Sequence, residues 1–173
     1  MRQDLSLCIK FINQKKHILE RENINIITMN DNIIFLDFDG VFILDDIPTR
    51  SCIKELNRII RETKSKIVVT SDWRNHETID ELNKLFKEWG VVAEIVDITD
   101  NLWPVGGHIA YIERYRVDEI NKYISDNNIK NYVIIDDLEL YNSFYTKDND
   151  RFFNTLFYKG ITKEIADKII DFL

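Results

Sequence analysis

Ile33 to Val41 reads IIFLDFDGV. Four consecutive apolar residues, Ile33-Ile34-Phe35-Leu36, are what a central strand covered on both faces requires, and the run stops abruptly in Asp37-Phe38-Asp39-Gly40. Working outward, two more segments repeat this form. Lys66-Ile67-Val68-Val69-Thr70 ends in Ser71-Asp72-Trp73-Arg74, and Asn131-Tyr132-Val133-Ile134-Ile135 ends in Asp136-Asp137. Helical periodicity fills the intervals. Ile53, Leu56, Ile59 and Ile60 share one face of a helix predicted over 50–62, and Ile79, Leu82, Leu85 and Phe86 share one face over 78–89, with Gly90 as its stop. Further helices are predicted over 117–127 and over 162–173, the latter capped by Thr162 with Glu164 close behind. Strands are expected over 91–96 and, shorter, over 152–157, and a long loop over 97–116 holds Trp103-Pro104 and Gly106-Gly107. Strand and helix alternate throughout, which implies an α/β fold with a doubly wound parallel sheet whose ligands sit at the carboxyl ends of the strands.

The 173 residues, 45% of them hydrophobic and 12% aromatic, suffice for one proper core. Residues 29–173 form the expected domain. Residues 1–28 read as a helical extension, with Leu5, Ile9, Ile12, Ile18 and Leu19 spaced for a helix over 4–21 that packs on the core or contacts a partner. A net charge of -7 gives no overall basic field, so bulk counterion release cannot supply tight nonspecific nucleic-acid binding, although a local basic groove stays open. Cys8 and Cys52 show neither CxxC nor Cys/His spacing, which argues against a disulfide framework or a zinc site. No apolar run approaches the roughly 20 residues of a membrane span, and charges interrupt the first residues where a signal peptide would be apolar. No membrane association is expected, and the expected location is cytoplasmic.

In a parallel sheet the polar ends of the three apolar strands lie on one edge, which brings Asp37, Asp39, Ser71, Arg74, Asp136 and Asp137 toward a single site. Four carboxylates in one place repel one another unless a divalent cation sits among them, and an all-oxygen site favours magnesium. With the ion present a carboxylate can attack phosphorus, forming an aspartyl-phosphate that water then hydrolyses. Asp37 is the candidate nucleophile. Asp39, two residues on, is suited to protonate the leaving oxygen and later to activate water, and its backbone carbonyl is a further candidate metal ligand. Gly40 permits a sharp turn, and Ser71 offers a hydroxyl and a backbone N–H to phosphate oxygens. Arg116, at the predicted start of a helix, is the candidate fixed positive charge, with Arg114 and Lys122 as alternatives.

IIFLDFDGV resembles the first motif, DxDx(V/T), of the haloacid-dehalogenase superfamily, KIVVTS resembles the second and YVIIDD the fourth. The resemblance covers about residues 29–173 and implies a three-layer Rossmann-like fold. By it Asp37 is the nucleophile, Asp39 the acid and base, Ser71 a phosphate ligand, and Asp136 and Asp137 hold magnesium. VVTSDWR, EIVDITD and RVDEINKYI are similar to the small capless domains of Swiss-Army-knife RNA repair proteins and, more distantly, to polynucleotide phosphatase domains. There Arg116 matches the arginine before the EI pair, although no Gly follows it.

Each residue also has a plainer reading. Gly40, Asp72 and Arg74 are candidate substrate-binding residues, and the plainer reading of Asp72 is that it caps the following helix or orients Arg74. Trp73 is a core residue or stacks on substrate, Trp103 anchors its loop or stacks on a base, and Asp45 and Asp46 form a solvated tip. His17, His76 and His108 lack metal-ligand spacing. The segments between the motifs leave no room for a large lid, so an open site that accepts a phosphate on a large partner is expected, with RNA or DNA termini foremost. A phosphatase of small sugars or nucleotides, or a binding module that keeps the fold, are the alternatives.

Overall fold

The computed structural model describes residues 27–28, 30–104, 111–140 and 149–173, so the helix expected over 4–21, Cys8, His17 and His108 lie outside the described residues. In chain order the elements are β1 (Asn32–Leu36), β2 (Ile43–Leu44), β3 (Ile47–Pro48), α1 (Arg50–Thr63), β4 (Lys66–Val69), a 3-10 turn (Asp72–Asn75), α2 (Ile79–Trp89), β5 (Ile95–Ile98), α3 (Ile112–Asn127), β6 (Asn131–Asp136), β7 (Phe152–Asn154) and α4 (Lys163–Phe172). A five-stranded sheet runs in the order β5-β4-β1-β6-β7, and every pairing is parallel.

Side chains that alternate along β1 divide the interior in two. Ile34 and Leu36 point into a core shared with Leu56 and Ile59 of α1, Leu82 and Phe86 of α2, and Ile169 of α4. Ile33 and Phe35 point the other way, against Val117, Ile120 and Tyr123 of α3. The result is three layers, with α1, α2 and α4 on one face and α3 on the other. From β1 the chain winds outward through β4 and β5, then crosses back over α3 to β6 on the other side of β1. The direction of winding therefore changes between β1 and β6, and the crevice outside their carboxyl ends is where such sheets bind ligands.

Between β1 and α1 the chain makes a turn in which the N–H groups of Val41, Phe42 and Ile43 all donate to Phe38 O, followed by the β2-β3 hairpin. Asp45 (φ 51) and Asp46 (φ 60) form its exposed tip in the left-handed conformation that a two-residue hairpin turn demands. Nothing larger is inserted here. Phe38, Phe42, Phe86 and Trp89 pack edge to face or tilted, with Phe38 and Phe42 centroids 5.1 Å apart, and anchor the turn to the core.

Three elements depart from the sequence reading. The strand expected over 91–96 is Ile95–Ile98, because side-chain amides satisfy the preceding backbone: Asn57 accepts from Val92 N–H and donates to Gly90 O, and Asn83 accepts from Ile95 N–H. The helix expected from 117 begins at Ile112, since its buried face carries Arg116 and Glu119 and so breaks the apolar stripe that marks a helix. The strand expected over 152–157 ends at Asn154, where a turn over 156–160 leaves Leu156, Phe157 and Tyr158 exposed. The cap expected at Thr162 forms, whereas α2 is capped by Thr78 and not by Asp72. Thr78 and Glu81 form a reciprocal capping box on α2, and the Thr162 hydroxyl accepts from Ile165 N–H on α4.

Candidate active site

Asp37 directly follows β1, and its N–H donates to Ile135 O at 3.0 Å, so the first motif is tied to β6 at the point where β6 ends in Asp136. Asp136 is fully buried. Its Oδ1 accepts from Leu138 N–H at 2.9 Å and its backbone O accepts from Thr155 N–H and Asn154 Nδ2, which fixes the end of the strand. One carboxylate oxygen from each of Asp37, Asp136 and Asp137 lies within 4.8 Å of the others. Gly40 makes this approach possible. Its φ is +67°, and a Cβ there would stand 2.6 Å from both Cγ and Oδ2 of Asp137. Thr155 Oγ1 donates to Gly40 O at 2.8 Å and links the turn to the segment after β7.

Burial and then the charge of Asp37 push Asp137 up to about 6, and the same two causes raise Asp136 while Arg116 opposes them. Three carboxylates converge and one guanidinium answers them. That surplus of negative charge on hard oxygen donors fits a divalent cation such as magnesium, with Asp37, Asp136 and Asp137 as its side-chain ligands. The Asp39 carboxylate stands outside this group. Its Oδ2 accepts from Trp73 Nε1 at 3.0 Å, and burial raises its pKa against the opposing effect of that bond, with Asp37, Asp46 and Asp72 adding to the rise.

Among the described residues Arg116 is the cation that ion-pairs with the carboxylates of Asp37 and Asp136. Its Nη1 is 2.7 Å from Asp136 Oδ2 and 3.5 Å from Asp37 Oδ1, and its Nη2 is 3.7 Å from Asp72 Oδ1. Burial works against this charge, but Asp136, Asp37, Asp72 and Glu119 outweigh it and hold the guanidinium above its ordinary pKa. The two alternatives lie elsewhere: Arg114 pairs with Asp118 on the exposed side of α3, and Lys122 pairs with Asp100 and Asp126. Ser71, at the end of β4, is wholly buried, and its Oγ and that of Thr70 have no hydrogen-bond partner among the described residues. An unpartnered buried hydroxyl calls for an explanation, and a ligand at the strand ends supplies one.

Arg74 and Asp72 occupy different surroundings. Arg74 is buried, donates to Glu119 Oε2 at 2.5 Å and to Thr70 O, and its pKa is lowered by burial against the pull of Glu119. Asp72 is exposed and ion-pairs with Arg74 at 3.6 Å and with Arg116. It does not cap α2, a task that Thr78 performs. Trp73 packs against Phe38 and Trp89.

Glu119 is absent from the sequence reading. It is buried, accepts from Arg74, lies 4.0 Å from Arg116 Nε, and accepts from Leu102 N–H at 2.9 Å, so it joins both arginines to the segment after β5. Its signal was the spacing 116/119, which puts an acid and a base on the face of α3 that also carries Ile120 and Tyr123.

No curated protein and no solved structure matches the chain. A family model described as "HAD domain in Swiss Army Knife RNA repair proteins" matches residues 33–166, from β1 into the first turn of α4. The parallel five-stranded sheet, its winding reversal between β1 and β6 and the motif residues at that edge all lie within the match, and the chain belongs to this family of HAD domains.

Proposed function

We propose that the chain is a magnesium-dependent phosphomonoesterase that works through an aspartyl-phosphate on Asp37, with the phosphorylated ends of RNA or DNA as substrates. The observation that carries this reading is the convergence of Asp37, Asp136 and Asp137 within 4.8 Å, beside Arg116, at the winding reversal of the sheet. Asp37, Asp136 and Asp137 would hold the magnesium, whose charge would offset that of the phosphate's nonbridging oxygens. The Asp37 carboxylate attacks phosphorus, a new carboxylate O–P bond forms, and the bond from phosphorus to the leaving oxygen breaks. Asp39, whose raised pKa favours a protonated carboxyl, gives its proton to that oxygen. The resulting Asp39 carboxylate then takes a proton from water. The water oxygen bonds to phosphorus, the acyl-phosphate bond breaks, and Asp37 is restored. Arg116 stabilises the charge that grows on the equatorial oxygens, and Ser71 Oγ donates to one of them.

The substrate half of the reading has two supports. The family is described from RNA repair proteins, and only the short β2-β3 hairpin stands between β1 and α1, which suits a phosphate on a large partner. The test is phosphate release from a generic aryl phosphate, with and without magnesium, by the native chain and by Asp37→Asn. Release that requires magnesium and disappears in the variant is expected. Release that survives in Asp37→Asn would overturn the assignment.

A further inference from the structure

Arg116 faces the strand-end carboxylates and also forms part of the wall of a separate cavity of about 270 Å3. Asp72, 3.7 Å from Arg116, lines the same cavity, so the two spaces adjoin. Part of the lining is aromatic: Trp103 and Tyr115 meet at 5.5 Å between ring centroids with a 50° tilt, and both are partly exposed. Part is carboxamide. Asn101 Nδ2 donates to Asn75 Oδ1 at 2.8 Å, and Asn101 Oδ1 accepts from Trp103 N–H at 2.8 Å. Asn75 Nδ2 and the second proton of Asn101 Nδ2 have no partner among the described residues.

The charged groups of the lining answer one another. Arg74 is held by Glu119, Arg116 by Asp136, and Asp72 adds an exposed carboxylate, so a second phosphate would meet no uncompensated cation here. What the cavity suits is a flat, uncharged ring that can lie against an aromatic face while its edge donates to and accepts from carboxamides. Nucleobases have this chemistry, and exposed aromatic side chains stack on them whatever their identity. A phosphopeptide could also bond the amides of Asn75 and Asn101 with its backbone, so the aromatic pair of Trp103 and Tyr115 is what favours a base here, and a phosphopeptide is an outcome of the test.

We infer that the cavity of Trp103, Tyr115, Asn75 and Asn101 is a nucleobase subsite that holds the base of the terminal nucleotide while its phosphate lies at Asp37. The inference rests on the phosphomonoesterase reading and names the part of the substrate that sets its specificity.

The test compares kcat/KM on matched oligoribonucleotides with a terminal phosphate, one with its terminal base and one abasic at that position, for each end of the strand. The native chain of 173 residues is expected to prefer the base-bearing partner of at least one pair by about tenfold, the size of one aromatic stacking contact. Trp103→Ala and the surface substitution Asn75→Ala are each expected to reduce that ratio, whereas Trp103→Phe, which keeps a ring, retains most of it. Native ratios near one for both ends, or a ratio unmoved in both alanine variants, overturns the subsite. Faster turnover of a phosphotyrosine peptide than of any oligonucleotide also overturns it. If no phosphoester is turned over with magnesium, the reaction reading fails on its own. The subsite is then judged by fluorescence anisotropy on the same oligonucleotides, where a preference for the base that Trp103→Ala abolishes supports it and equal binding overturns it.

Discussion

Gly40→Ala separates backbone strain from active-site geometry, because the chain supplies its own control. Gly40 (φ +67°) and Gly90 (φ +81°) both occupy the left-handed region, where an alanine costs about 1–2 kcal/mol. For a chain of this size that loss lowers Tm by roughly 2–8 °C in either variant. The surroundings then divide them. A Cβ at Gly90 meets nothing within 4 Å, whereas a Cβ at Gly40 would be 2.6 Å from the Asp137 carboxylate carbon, a distance that real contacts do not tolerate. Asp137 must move by an appreciable fraction of an ångström, and a displacement of about 1 Å in a catalytic group costs on the order of 100-fold in rate. Gly40→Ala is therefore expected to lose one to two orders of magnitude in phosphate release and to need more magnesium for half-maximal activity. Gly90→Ala should match the native chain in both once the assay temperature is well below its Tm. Equal magnesium requirement and equal rate in the two variants would refute the claim that Gly40 exists to admit Asp137.

Glu119→Ala removes the buried carboxylate from the Arg74 guanidinium and leaves it only the exposed Asp72 at 3.6 Å, and urea denaturation should show a loss of about 3 kcal/mol; a loss under about 1 kcal/mol would contradict the role given to this pair. Because Asp137 is pushed up to about 6, above its unfolded value, its contribution to the stability of the metal-free chain is complete below the unfolded pKa and lost as pH rises through about 6. If Asp137 is a magnesium ligand, the ion must displace that proton, so the rise in Tm on adding magnesium should be small at pH 5 and large at pH 7.5, and a flat or inverse trend would count against Asp137 as a ligand. Trp73→Phe removes the Nε1–H bond that restrains the pKa of Asp39, so the alkaline limb of the pH–rate profile should move to higher pH, and an unmoved limb would deny Asp39 the acid role.

How much of this was legible in the sequence depended on what each segment buries. β1, β4 and β6 could be read from runs such as Ile33–Leu36 because both faces of a central strand are covered, and each run ended at the polar residues of the candidate site. α1 and α2 were legible for the complementary reason, having one apolar face and one polar face. α3 was not. It buries Arg116 and Glu119 beside Val117 and Ile120, so the charges that serve the site hid the first turn of their own helix. The start of β5 was obscured by Asn57 and Asn83, whose bonds to the backbone across long sequence separations replace a ladder that the pattern Val91–Val96 suggested. The convergence of Asp37 with Asp136 and Asp137 was legible because the carboxyl ends of parallel strands lie on one edge, while the order that makes β1 and β6 neighbours was not read from the sequence. The tie from Glu119 through Leu102 N–H to the Trp103 segment is a tertiary bond for which no local pattern gives notice.

The central claim is a covalent phosphoryl group on Asp37. The most direct measurement is acid-quenched, single-turnover reaction with a phosphorylated substrate in the presence of magnesium, followed by peptide mass analysis. The account predicts that the peptide containing Asp37 gains the mass of one phosphoryl group, that omission of magnesium abolishes the adduct, and that Asp37→Asn never forms it. Magnesium-dependent turnover with no adduct on that peptide, or an adduct on another residue, would contradict it.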